Sequence, residues 1–252
     1  MLKNVKFLAF DTSTDVMSVA LTDGSRVWQH TGPGGPKAST SLIPAVLALL
    51  AEAGLGLGDL RAIAFGRGPG SFSGLRTACA VAQGLAYGAN HGAGIDVLPI
   101  DTLLALAEEA RYQAPAGASF ITAMLDARMD EMYVQRYECH NNILNELGRC
   151  ELIRPEHLHA NATDLFAGNV FGVYADRLPA DLNQLTCLPT AAAMLRLAPG
   201  LAASGHCVNA ALALPMYVRD KVALTTDERA EVSRAKLATA AMAPTPLAQT
   251  QA

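Results

Sequence analysis

The residues of this chain whose types and spacing could do chemistry are concentrated at Gly66-Arg67-Gly68-Pro69-Gly70-Ser71-Phe72-Ser73-Gly74-Leu75-Arg76. The apolar run Ala62-Ile63-Ala64-Phe65 before it reads as a buried strand. Gly66, Gly68 and Gly70 open backbone angles closed to other residues, and Pro69 stiffens the turn. Ser71 is placed to cap a helix over 72–89. A strand, a glycine turn and a helix N-terminus together suit an anion or phosphate. The run is not a P-loop, because no lysine lies between Gly66 and Lys221. It is not a dinucleotide fingerprint either, because three residues separate Gly70 from Gly74.

Other reactive types give weaker arrangements. Asp126, Arg128, Asp130 and Glu131 crowd opposite charges into one hairpin, which a structural ion-pair network explains well and for which acid–base work is the alternative. Ser71 as a nucleophile has no base assignable nearby in sequence. His157 and His159 are two residues apart, so their rings would leave a helix on different sides, and His91 and His206 are isolated. The five cysteines are scattered without a CxxC pair, as expected of reduced thiols.

The elements that must position these residues follow from periodicity. Residues 5–10, 17–21 and 26–30 read as strands, with Asp11-Thr12-Ser13-Thr14 and Asp23-Gly24 as turns between them. Residues 32–36, Gly-Pro-Gly-Gly-Pro, read as a mobile loop. A helix over 39–53, capped by Ser39 or Thr40, follows. The glycine turn then feeds the helix at 72–89, which carries two stripes of small residues. Gly74, Ala78, Ala82 and Ala86 form one, and Thr77, Val81, Gly84 and Gly88 the other. Its two interior glycines cost about 1 kcal/mol each relative to alanine, a cost that close approach of another backbone would offset. Whether that backbone is the chain's own sheet or a partner is left open.

A second α/β unit starts with a helix near Asp101-Thr102. Antiparallel strands at 120–126 and 132–138 come next, joined at Arg128-Met129-Asp130. Residues 139–167 read as loop with a short helix around Pro155, 170–173 as a strand, and 190–197 as a helix. A helix or turn approaches 214–218, and the Ala/Thr/Pro/Gln-rich tail over 223–252 reads as disordered. No repeat of 20–50 residues is evident. The chain has 252 residues, 51% hydrophobic and 17% charged, enough for two modest lobes or one large domain with a sizeable core. Its net charge of −4 argues against broad, direct coating of nucleic acid. No signal segment or spanning run is visible, so a soluble cytoplasmic protein is expected.

The glycine run and its continuation to Ala82-Gln83-Gly84-Leu85-Ala86 resemble the signature of the bacterial TsaB (YeaZ) family. Three further segments agree with that family in order and spacing: Phe10–Ala20, Leu125–Tyr133 and Pro215-Met216-Tyr217-Val218-Arg219. The resemblance covers about residues 5–222 and implies an α/β protein with the two-lobed actin/Hsp70/sugar-kinase-like (ASKHA) fold. The lobes would be 1–100 and 101–222. It further implies a non-catalytic partner of the paralogue TsaD in making threonylcarbamoyladenosine at position 37 of tRNAs that read codons starting with A. A TsaE-like ATPase would join the pair, tRNA would be met only within the complex, and the chain alone would form a homodimer. The family's first helix commonly opens with His-Ser or His-Thr, where this chain has Ala38-Ser39.

Within that fold the first hairpin wraps nucleotide phosphates with an Asp-x-Gly-x-Thr turn. Here Asp11, Thr12 and Ser13 stand in its place, with a side chain where glycine would be. Nucleotide binding and a plain turn both remain open, and no cofactor is expected. TsaD-like proteins carry a His-x-x-x-His metal pair, and Thr102 and Leu106 occupy the matching positions, where Leu cannot coordinate. No metal or catalytic residue is therefore expected. The partner surface is placed on the helices at 39–53 and 72–89, with Ser71, Phe72, Arg76, Thr77, Ala80, Gln83, Gly84 and Tyr87 as contact residues and the Gly74/Ala78/Ala82 stripe as the line of close approach. The rival readings are an ATP-dependent enzyme of the same fold and a peptidase.

Overall fold

A computed structural model describes residues 5–114 and 118–219. The first half of the chain builds one five-stranded sheet. β1 (Phe7–Asp11) pairs antiparallel with β2 (Val16–Thr22), and β2 antiparallel with β3 (Val27–Pro33). After helix α1 (Ala38–Ala53), β4 (Ala62–Gly68) returns parallel to β1. Helix α2 (Phe72–Gly88) then leads to β5 (Asp96–Asp101), parallel to β4. The strand order is β3-β2-β1-β4-β5. All of β1 is buried because both faces are covered. Leu8 and Phe10 point toward α1 and α2, while Phe7 and Ala9 point the other way, as a two-residue period requires.

The second half repeats the plan. Helix α3 (Thr102–Gln113) is followed by the antiparallel strands β6 (Phe120–Arg128), β7 (Glu131–His140) and β8 (Ile143–Ile153). β9 (Asp164–Gly168) then runs parallel to β6. After the single-turn helix α4 (Phe171–Tyr174), β10 (Gln184–Thr186) lies parallel to β9. The order is β10-β9-β6-β7-β8, the same connectivity as the first sheet. Helix α5 (Ala191–Ala203) closes the plan.

The two closing helices are exchanged. α3 follows the first sheet but packs on the second, through Leu103, Leu106, Ala107 and Ala110 against Ile121, Ala123 and Leu125. α5 follows the second sheet but packs on the first, through Ala191, Met194, Leu195 and Ala198. They meet through Arg196, which donates to Glu108 at 2.8 Å and to Glu109 at 2.7 Å.

Several local expectations change. The segment 139–167 holds the long strand β8, which lies at a sheet edge, is mostly exposed and so has only a weak period. The strand expected at 170–173 falls instead at Asp164–Gly168, and 171–174 is a helical turn. The 32–36 loop is pinned: Gly34 N donates to Asp15 O at 2.8 Å and Gly35 N to Thr14 O at 3.1 Å. Neither Ser39 nor Thr40 caps α1, because a 3-10 turn at Gly35–Lys37 runs straight into it and Thr40 Oγ1 donates back to Lys37 O at 2.9 Å. The 223–252 tail lies outside the described residues.

The buried stripe of α2 decides its seating. Gly74, Ala78, Ala82 and Ala86 are buried, and a Cβ on Gly74 would lie 1.9 Å from the Thr12 carbonyl oxygen. The Gly74/Ala78/Ala82 line is therefore intramolecular, not the line of approach for a partner. At Gly84 a Cβ meets nothing within 4 Å among the described residues. Gly74→Ala should destabilise the fold by about 3 kcal/mol or more, since backbone must shift. Gly84→Ala should stabilise it by about 0.5–1 kcal/mol through helix propensity. Urea denaturation of the two variants checks the contrast.

Candidate functional site

The β1–β2 turn and the glycine loop form a single close-packed unit. Asp11, Thr12 and Ser13 are buried, each at 3% exposure or less. Ser13 N and Ser13 Oγ both donate to Asp11 Oδ1, at 2.9 and 2.6 Å. Thr12 Oγ1 donates to Gly74 O at 2.7 Å, and Ser71 N donates to Ser13 O at 2.8 Å. The loop backbone thus covers the turn that would wrap a phosphate. Of the three loop glycines only Gly68 has a left-handed backbone, with φ at 122°. Gly66 and Gly70 serve proximity instead. A Cβ on Gly66 would lie 1.9 Å from Asp11 Oδ2, and one on Gly70 would lie 2.6 Å from Ser13 Cβ. Ser71 occupies the N-cap position without a side-chain cap; its Oγ sits 3.5 Å from Ser73 Oγ.

Asp11 Oδ2 has no hydrogen-bond partner among the described residues. Burial pushes the Asp11 carboxyl up to about 6, against the lowering effect of the two Ser13 hydrogen bonds.

The other face of α2 is open. Ala80, Gly84 and Tyr87 are exposed and Thr77 is half-buried. Alongside lies α1, whose outward residues include Ile43 at 42% and Leu47 at 52% exposure, with Ala48 and Ala51 beside them. From Ala38 to Ala51 this helix carries no charged residue. Three of the residues assigned to a partner from sequence are held by the segment 213–218 of the same chain. Gln83 Nε2 donates to Ala213 O at 3.0 Å, Arg76 Nε to Tyr217 Oη at 3.1 Å, and the Phe72 ring lies 5.4 Å from that of Tyr217. The segment 213–218 that supplies these contacts, read from sequence as a helix or turn, is neither over 214–218: it runs as irregular chain alongside α2.

The remaining candidates resolve into structure. Arg128 bridges Asp126 at 3.3 Å and Asp15 at 2.9 Å, and Arg177 bridges Asp130 at 2.9 Å. Tyr174 Oη donates to Asp126 at 2.7 Å. The ion-pair reading of that hairpin holds. Leu106 is fully buried in the core under α3, with Thr102 buried one turn before it. Among the described residues no three His, Cys, Asp or Glu side chains are grouped to hold a metal ion. No helix among them is long and apolar enough to cross a membrane.

Two sheets of identical connectivity, joined by exchanged helices and each opening with an antiparallel hairpin, define the class: a two-lobed protein of the actin/Hsp70/sugar-kinase type. Within it, residues 35–204 match the family described as TsaD, tRNA N6-adenosine threonylcarbamoyltransferase. The tRNA threonylcarbamoyladenosine biosynthesis protein TsaB of Escherichia coli is 32% identical over 229 residues, 87% of this chain and 96% of that one. Its namesake from Haemophilus influenzae is 32% identical over 236 residues, 88% of this chain and 96% of that one. The solved structure of YeaZ from Pseudomonas aeruginosa superposes with a TM-score of 0.76 at 36% identity, covering 85% of this chain and all of that one. The chain belongs to the TsaB (YeaZ) family.

The buried carboxyl gives a pH test with a definite sign. Because the folded state raises the Asp11 pKa from 3.8 to about 6, ionising it costs stability. That cost is absent below about pH 4, grows on the way to pH 6, and is complete above it, amounting to about 3 kcal/mol. Asp11→Asn carries no such titration. Its stability relative to the parent should therefore rise between pH 4 and pH 7 by up to about 3 kcal/mol, read from urea midpoints. A difference that stays flat across this range would show that Asp11 does not titrate there.

Proposed function

We propose that this chain is a non-catalytic partner of a TsaD-like catalytic paralogue in forming threonylcarbamoyladenosine at position 37 of tRNAs that read codons starting with A. The observation that carries the reading is the open face of α1 and α2. A helix that is apolar on every side is normally covered on every side, yet α1 exposes Ile43 and Leu47, and α2, packed against it, exposes Ala80, Gly84 and Tyr87. Among the described residues no neighbour requires glycine at positions 84 and 88, so their cost in helix stability is consistent with an incoming backbone. A standard interface of about 800 Å² per partner would bury such a two-helix face. The paralogue is the favoured occupant. A second copy of this chain would use the same face when the paralogue is absent, and a TsaE-like ATPase and tRNA would be met in the assembled complex.

Two features speak for an accessory role over an ATP-dependent enzyme. The turn that would cradle phosphates is closed by the chain's own loop. The position that carries a metal ligand in the catalytic paralogue holds Leu106, committed to the core. With a net charge of −4 the chain lacks a broad field for polyanions, so direct tRNA binding should be weak at physiological salt.

Leu47→Glu and Ala80→Arg change only outward residues. Each should weaken association with the paralogue at least about 100-fold, as removal of an interface hot spot does. Melting temperature should move by no more than about 2 °C, which scanning calorimetry reads. Loss of fold together with pairing would make α2 a core helix only. In cells depleted of the chain, tRNA digests should lack threonylcarbamoyladenosine, and the parent chain should restore it where the two variants do not. Normal nucleoside levels in depleted cells with no second homologue would overturn the assignment.

A further inference from the structure

We propose that residues 213–218 form a latch through which the second lobe holds the partner-facing helix α2 in place. The latch begins in the first lobe. Ala213 is fully buried, and its carbonyl accepts from Cys79 Sγ at 3.2 Å and from Gln83 Nε2 at 3.0 Å. Met216 then crosses the glycine loop, its N–H donating to Arg67 O at 2.7 Å. The crossing is close: a Cβ on Gly68 would lie 2.5 Å from Met216 O. Tyr217 comes next and grips the first turn of α2. Arg76 donates to its hydroxyl at 3.1 Å, and the Arg76 guanidinium lies 3.9 Å from the centre of the Phe72 ring that Tyr217 also contacts. The latch ends in the second lobe, where Val218 packs against the core built by α3, β6 and β7.

The chain passes between lobes at the β5–α3 join and again between β10 and α5. The latch is a third crossing, and it runs over α2. Its contacts at Arg76, Cys79 and Gln83 recur at helical spacing on one side of the helix, next to the open Ala80, Gly84 and Tyr87 side. A hydrogen-bonded strap from a rigid core to one helix flank suppresses local opening of that helix. The loop, the first turns of α2 and the second lobe therefore move as one body. The functional weight of this coupling rests on α2 being the docking helix, but the coupling itself is measurable in the isolated chain.

Hydrogen exchange on the full chain tests it. Met216→Pro removes the N–H that bonds Arg67 and leaves every α2 side chain intact. It should speed exchange of the Ser71 amide and of amides 75–79 about tenfold, the factor expected for one lost hydrogen bond. Val218→Ser touches no α2 residue named above, yet loosening the far end should speed the same amides to a similar degree. Amides of α3 and α5 should be unchanged in both variants. Unchanged α2 amides in Met216→Pro would overturn the latch. So would loosening by Met216→Pro without any by Val218→Ser, since the segment would then be a local staple. Equal speeding of all amides in both variants would make it part of the core. Affinity for the paralogue should fall in both variants if α2 docks it. A parent chain that shows the exchange pattern but binds no paralogue would sink the docking reading while supporting the latch.

Discussion

Much of this structure depends on one contact between two pieces of backbone. The first turn of α2 sits directly on the β1–β2 turn, so closely that the Thr12 carbonyl occupies the space where a side chain at position 74 would begin. Only glycine permits this approach, and the hydrogen bonds of Thr12 and Ser13 to Gly74 and Ser71 fix it. From that seating the rotation of α2 follows. Ala78, Ala82 and Ala86 turn to the sheet, and Ala80, Gly84 and Tyr87 turn away from it. The phosphate-type turn is closed by the same contact that orients α2, the helix whose outer face we propose as the docking surface.

Charge is handled with similar directness at the exchange of α3 and α5. Glu108 is nearly inaccessible and accepts from both Arg111 and Arg196. At Glu109, burial alone would raise the carboxyl pKa, but hydrogen bonds from Gln113, Thr190 and Arg196 outweigh it and hold the pKa below the usual range. Buried charges of this kind contribute little net stability when fully paired, yet breaking one partner is costly. Here the pairs of Arg196 with Glu108 and Glu109 tie α5 to α3, the two exchanged helices.

The two lobes share a strand order but not a surface. In the first, the helices after β3 and β4 are long and leave an apolar outer face. In the second, the corresponding connections are short turns around Pro155 and a single helical turn at Phe171–Tyr174, buried on the sheet with Met124, Met132 and Phe166. A duplicated frame with helices of unequal length leaves the extensive two-helix face on the first lobe.

The sequence by itself determined the element types wherever periodicity was strong: the first hairpin, both long helices of the first lobe, and the β6–β7 hairpin, whose tip residues Arg128, Met129 and Asp130 all take the left-handed conformation. It also carried the family, through the glycine run and the segments around it. Other features were decided only in three dimensions. β8 lies at a sheet edge with few buried residues, so its period was weak, and the strand at Asp164–Gly168 is buried throughout, so it shows no alternation at all. Which stripe of α2 faced inward could not be read, because alanine and glycine carry almost no hydrophobic contrast; the Thr12 carbonyl decided it. The closure of the Asp11 turn and the contact of Tyr217 with α2 join residues far apart in the chain. Local sequence fixes what a segment can become, whereas such contacts depend on which backbone the folded lobes bring alongside it.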